Sequence, residues 1–364
     1  MAGSVNPSGQ PVQLSTGPPT LSYREALAPP CSSCTSSPCC THLLLRDFRM
    51  DTIMDVDYAT FLLNFEGILL AIRPDRQVDV YLYQPCGNLD VDRGLCQVHG
   101  SALQPAVCIT YQSHTCSYRK VFTTDLHAEK PLLDAHRMAW LAEQITFDDD
   151  RRISGFPAWD DLLAGLAALP TERRPAPARG PDPMAEEWRS VVLGHKPDAG
   201  DRRGEFHRFS SPAVSDPCEG CGAWCCRTLV FDRGLPQTSS QVEFLRYCIG
   251  FPNVEIGLAD TGWAVIVHAT CRHLDGNRCS VYGQPERPLK CSYYDPFACA
   301  YRGHFGVPNP DDIVRVSRHH FPAVADSVVF DGLGRVVAIP PLDVLREQVA
   351  RAEVAAASAA DRTS

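Results

Sequence analysis

The sequence predicts an α+β protein: two tandem copies of a small, irregular, metal-organised domain with short helices and β-hairpins. Three observations predict it. Sixteen of the 17 cysteines form two series in the same order and nearly the same spacing. Other residues keep step with those cysteines at one fixed offset. Between the cysteines, brief stretches of helical periodicity alternate with pairs of apolar runs joined by turn residues.

The first series is Cys31, Cys34, Cys39, Cys40, Cys86, Cys96, Cys108 and Cys116, with successive steps of 3, 5, 1, 46, 10, 12 and 8. The second is Cys218, Cys221, Cys225, Cys226, Cys271, Cys279, Cys291 and Cys299, with steps of 3, 4, 1, 45, 8, 12 and 8. Two such series in one chain mark a duplicated unit. From Cys96 to Asp160 the halves align without a gap at an offset of 183 residues. Val98, Gly100, Pro105 and Tyr111 meet Val281, Gly283, Pro288 and Tyr294, while His136 meets His319 and Phe147-Asp148 meets Phe330-Asp331.

In chain order, residues 1–30 are rich in Ser, Pro and Gly and read as a disordered arm, because so few large apolar side chains do not offset the entropy of ordering. Repeat one spans 31–165. Its first helix is expected to be capped by Asp55 and to carry Tyr58, Phe61, Leu62 and Phe65 on one face. Strands over 68–72 and 78–83, joined by Pro74-Asp75-Arg76-Gln77, then deliver the chain to Cys86. Residues 132–145 read as a helix.

A Pro-rich linker occupies 166–215. Repeat two, 216–348, follows the same plan, with Ser240 as helix cap, strands at 254–258 and 263–268, and a further hairpin over 328–330 and 335–339. The Ala-rich run 345–360 reads as a helix fraying into a C-terminal tail, 349–364. In this reading metal substitutes for part of each core, and the repeats fold as separate units about a protease-sensitive connection.

The formal charge is −9. Repeat one holds 11 basic against 18 acidic residues and residues 218–348 hold 12 against 14, and thiolate sites add further negative charge, so nucleic acid is not expected as a partner. No run of roughly 18–20 apolar residues is present, so no membrane span is expected. A cytoplasmic location follows in this reading, and thiols clustered in a reducing compartment bind metal or do redox chemistry, which leaves disulfides as the minority reading.

A Cys-x-x-Cys turn aims two sulfurs at one ion, and a second pair from elsewhere closes a tetrahedral shell. Eight sulfurs per repeat suit two four-thiolate sites, an iron–sulfur cluster with a zinc, or one site with additional structural thiols. All sixteen cysteines are therefore candidate metal ligands, with zinc or iron as the cofactor. Cys248, opposite Leu63 in this alignment, reads as a small buried hydrophobe. His136, His319 and His99 read as solvated or packing residues. Arg287 and Lys290, beside the ligands of repeat two where repeat one has Gln104 and Val107, are candidate cofactor- or anion-binding residues.

The order CxxCxxxCC, then C-x-x-L-D, then CSVYGQPERPLKC resembles the bacterial cysteine-cluster domain of the YkgJ type, a zinc- or iron-chelating family. A related cluster occurs in the flagellin lysine methylase. The pattern falls on Cys218, Cys221, Cys225, Cys226, Cys271, Cys279, Tyr282, Arg287, Pro288 and Cys291, and repeat one departs from it at His99 and Gln104. The resemblance implies metal chelation. Glycine-rich nucleotide loops, H-E-x-x-H helices and nucleophile elbows are absent. The leading expectation is a metal-binding protein whose sites are structural and support a surface for an unidentified protein or small anionic ligand. Its competitors are a tailoring metalloenzyme working through repeat two, with catalytic residues unknown, and a metal carrier.

Overall fold

The structure is a computed structural model that describes residues 22, 34, 37–112, 114, 116–122, 130–170, 223–293, 301 and 313–360. In the first half, a short helix α1 (Pro38–Thr41) leads into β1 (His42–Arg49), α2 (Ile53–Leu62), β2 (Ile68–Ile72) and β3 (Gln77–Tyr83). Two-residue strands β4 (Leu89–Asp90) and β5 (Leu95–Cys96) follow, then α3 (Ala106–Ile109), α4 (Arg119–Phe122), β6 (Leu132–Leu133) and α5 (Ala135–Gln144). The half closes with β7 (Thr146–Phe147), β8 (Ile153–Gly155) and α6 (Trp159–Ala168).

The second half opens on a 3₁₀ turn, Trp224–Cys226, and repeats the order with β9 (Thr228–Gly234), α7 (Ser239–Cys248), β10 (Val254–Ala259) and β11 (Gly262–His268). Next come β12 (Leu274–Asp275), β13 (Arg278–Cys279), α8 (Leu289–Ser292) and β14 (Val314–Val316). Helix α9 (Phe321–Ser327), the hairpin β15 (Val329–Phe330) with β16 (Val336–Ala338), and α10 (Leu342–Ala360) complete it. The architecture is α+β. Each half holds one four-stranded antiparallel sheet, ordered β1-β3-β2-β6 and β9-β11-β10-β14. No helix among the described residues is long and apolar enough to cross a membrane.

Several boundaries differ from the sequence reading for local reasons. The first cap is Thr52 rather than Asp55: the Asp55 carboxylate, one turn in, accepts from the amides of Asp51 and Thr52 at 3.0 and 2.8 Å. In α7 the cap is Thr238 rather than Ser240, with a reciprocal box in which Thr238 Oγ1 accepts from the Gln241 amide and Gln241 Oε1 accepts from the Thr238 amide, at 3.3 and 3.2 Å. Thr238→Ala is expected to lower stability by about 1 kcal/mol in a denaturant titration. Cys248 falls opposite Leu62, since both end their helices ten residues from these caps. Asp134, whose side chain accepts from the Arg137 amide, starts α5 and leaves Leu132–Leu133 as a strand, so the helix expected from 132 begins at Ala135. Helix α6 runs to Ala168, beyond the expected start of the linker, and α10 is helical through Ala360, with Val349 fully buried in what was expected to be a tail.

The period-two alternation of the sheets sorts their faces. Val78, Val80 and Leu82 of β3, and Trp263, Val265 and Val267 of β11, enter one contiguous core that also takes Leu62 and Phe65 from the first half and Leu245, Phe251 and Val349 from the second. This core is shared across both halves, whereas the sequence reading expected two repeats that fold separately. It also removes the basis for independent folding of the repeats.

On the far sheet face the halves diverge. Half one packs Leu69, Ala71 and Tyr81 under Tyr118 and Val121. Half two carries Glu255 where the strand pairing places Leu69 in half one, Arg315 where it places Leu132, and His268 where it places Tyr83. All three are buried, and Glu255 Oε2 lies 2.6 Å from Arg315 Nη2 and 3.1 Å from His268 Nε2. Half one buries a charge elsewhere, at Asp79, which pairs with Arg73 and with Lys130 at 2.7 Å.

Candidate metal centres

Each sheet ends in a loop that gathers cysteines by the same hydrogen bonds. As β3 ends, the Cys86 amide donates to the Cys40 carbonyl at 2.7 Å, and as β11 ends, the Cys271 amide donates to the Cys226 carbonyl at the same distance. The adjacent pair is thereby pinned beside the cysteine that lies some 45 residues downstream in sequence. A miniature hairpin then pairs Leu89 with Cys96, or Leu274 with Cys279, and returns a fourth sulfur to the same end. Gly100 and Gly283 follow, both at φ +73°, a conformation glycine takes without strain, and turn the chain toward the short helices carrying Cys108 and Cys291.

Within each half, burial and neighbouring thiols shift the acidities of these cysteines. In half one, the hydrogen bond from Cys40 lowers the Cys39 thiol to about 7, while the same bond, burial and the neighbouring Cys39, Cys86 and Cys108 push Cys40 far up. Burial pushes Cys108 up to about 12, with Cys86, Cys39 and Cys96 adding to it, and burial likewise raises Cys86. In half two, the bond with Cys226, whose sulfur is 4.0 Å away, and then burial push Cys225 far up. Burial and the neighbouring Cys225, Cys271 and Cys279 push Cys291 up to about 12. Five thiols per half thus crowd one another at equivalent positions. Clustered cysteine sulfurs are a donor type that both zinc and iron accept.

Of the remaining predicted ligands, two are described. Cys116 receives a hydrogen bond from the Tyr111 hydroxyl at 3.5 Å, and Cys34 is half-buried. Cys31, Cys218, Cys221 and Cys299 lie outside the described residues. Among the described residues no three His, Cys, Asp or Glu side chains converge tightly enough to hold an ion. Cys248, wholly buried and raised to about 12 by that burial, packs as a hydrophobe. His99, His136 and His319 are exposed.

Arg287 and Lys290 face different neighbours. Arg287 Nη2 donates to the Cys291 carbonyl at 2.8 Å, and its guanidinium lies 4.2 Å from the centre of the Tyr282 ring. Lys290 Nζ instead reaches 5.7 Å from the ring of Tyr58, across in the first half. Gln104, which occupies the place of Arg287, accepts from the Gly100 amide at 2.7 Å. In both halves this position latches the loop.

Sequence reasoning missed the contacts that join each loop to the opposite half. Helix α2 packs on α8 and α7 packs on α3. Asp57 accepts from the Leu289 and Lys290 amides, each at 2.7 Å, and Glu243 accepts from the Ala106 amide at 2.7 Å. The Arg272 amide donates to the Asn64 carbonyl at 2.8 Å, and the Gly87 amide donates to the Gly250 carbonyl at 2.9 Å. The Tyr247 hydroxyl donates to the Cys39 carbonyl at 2.7 Å. The available signal was an acidic residue five positions after each helix-capping threonine, visible once Thr52 and Thr238 are aligned. No family model matches this chain, and no curated protein or solved structure is significantly similar to it.

Proposed function

We propose that this chain is a zinc- or iron-binding protein in which two duplicated thiolate clusters, of the cysteine-cluster kind its motifs resemble, organise loops on a shared α+β scaffold. One observation carries the reading: Cys39, Cys40, Cys86, Cys96 and Cys108 recur as Cys225, Cys226, Cys271, Cys279 and Cys291 on equivalent elements, held by equivalent backbone hydrogen bonds. An odd set of five neighbouring thiols in each half does not resolve into disulfide pairs, and a metal that draws these sulfurs together accounts for their recurrence.

The sites are structural in this proposal, and the loops they order are the working surface. The half-one loop exposes Val91, Leu95, Leu103 and Ile109, each more than 60% accessible, where half two has Arg278, Glu286 and Ser292 opposite the last three. Apolar side chains gathered on one ordered loop suit a protein partner. The test is anaerobic purification followed by elemental analysis and a visible spectrum. Zinc or iron at about two or more equivalents per chain is expected if each half holds at least one tetrahedral site. A folded, reduced protein with less than about one equivalent of any metal sinks the proposal.

A further inference from the structure

The two cysteine loops are not held by their own halves. The segment bearing Cys291 starts with two amides, Leu289 and Lys290, that have no carbonyl partner in a helix of four residues. Both are taken by one carboxylate, Asp57, from α2 of the first half. The Cys108 segment has the mirror arrangement: its leading amide, Ala106, is taken by Glu243 from α7 of the second half. Asp57 and Glu243 occupy the same helix position, the fifth residue after Thr52 and Thr238. Hydrogen bonds from an amide to an ionised carboxylate are about twice as strong as neutral ones. Backbone pairs lie alongside, Asn64 with Arg272 and Gly250 with Gly87, and Phe65 bridges to Cys271 itself.

We propose that Asp57 and Glu243 are positioning residues for the thiolate cluster of the opposite half, so that loading of each site depends on a helix carboxylate supplied by the other half. The proposal rests on the metal-binding reading given above. A carboxylate that merely caps a short helix stabilises the fold wherever it sits, whereas a cross-half clamp places the effect of each substitution in the half that does not contain it. The geometry also sets an asymmetry. Asp57 makes two of these bonds and Glu243 one, and Glu243 additionally faces Arg246 Nη1 at 3.4 Å. Loss of Asp57 is therefore the more damaging.

The test titrates full-length, reduced, metal-free protein with cobalt(II), whose charge-transfer bands report thiolate ligation. Half one is silenced by Cys86→Ser with Cys108→Ser, and half two by Cys271→Ser with Cys291→Ser. With half one silenced, Asp57→Ala is expected to weaken cobalt binding about 10- to 100-fold, the usual consequence of removing a group that orients a ligand. With half two silenced, Asp57→Ala leaves binding within about twofold, and Glu243→Ala gives the reverse pattern with the smaller loss. Each substitution acting on its own half, on both halves equally, or on neither overturns the clamp.

Alkylation by iodoacetamide, read cysteine by cysteine, provides a readout free of metal. Asp57→Ala, and to a lesser degree the isosteric Asp57→Asn, should speed labelling of Cys291 but not Cys108, and Glu243→Ala the converse. Unchanged labelling at both cysteines overturns the clamp. If the unsubstituted chain binds no metal while this labelling pattern appears, the metal reading fails and the clamp stands.

Discussion

Glu255→Ala is expected to cost about 3–5 kcal/mol of folding free energy, the range for breaking a buried ion pair by removing one partner. Glu255 is 3% exposed and Arg315 5%, and the carboxylate receives Arg315 Nε at 2.9 Å and Nη2 at 2.6 Å. Without it, a guanidinium held in the sheet interior loses the charge it faces. Replacing the whole set tells a different story. Glu255→Leu with Arg315→Leu and His268→Tyr imports the residues of half one, and exchange of a buried ionic set for apolar side chains is often neutral or stabilising. Urea titrations of the single and triple variants check both outcomes. A single variant within about 1 kcal/mol of the parent shows that the trio is solvated.

Phe65→Ala is expected to lower one common unfolding transition by about 3–5 kcal/mol, as truncation of a buried aromatic does. Phe65 belongs to the first half, is 3% exposed, packs in the shared core and bridges to Cys271 of the second. Hydrogen exchange read on peptides from both sheets checks the sharing: β3 and β11 should lose protection together. If β3 loosens while β11 keeps its protection, the halves open separately and the single core does not act as one unit.

Much of the fold was legible because it is encoded over short distances. The hairpins β2–β3 and β10–β11 and the helices α2 and α7 follow from alternation, turn residues and helical spacing that any window of the chain displays. Strands β6 and β14 were not legible. With two or three residues each, they carry no period of their own and exist because β2 and β10 offer an edge to pair with. Strands β1 and β9, which follow the adjacent cysteines into the sheets, were not legible either, because a register shift in the pairing of each interrupts its alternation.

The cysteines themselves were found from sequence, since spacing survives any fold, and among the described residues the structure places five in each half on equivalent elements. Arg287 and Lys290 show the opposite. Their proximity to Cys291 in sequence suggested one cationic rim, yet one guanidinium turns inward to a carbonyl and the ammonium leans across to Tyr58. Direction of a side chain is not a property of spacing.

By itself the sequence determined the α+β class, the two parallel cysteine series and the hairpins that lead to Cys86 and Cys271, because these depend on neighbours within a few residues or on a repeat visible by alignment. Only the tertiary structure decided that the halves share a core, that Glu255, His268 and Arg315 meet inside one sheet, and that Asp57 and Glu243 hold each other's cysteine loops. Those contacts join residues 13 to 233 positions apart. No local pattern encodes them, since they arise when apolar faces that neither half can bury alone are pressed together, bringing the charged rims of those faces within hydrogen-bonding reach.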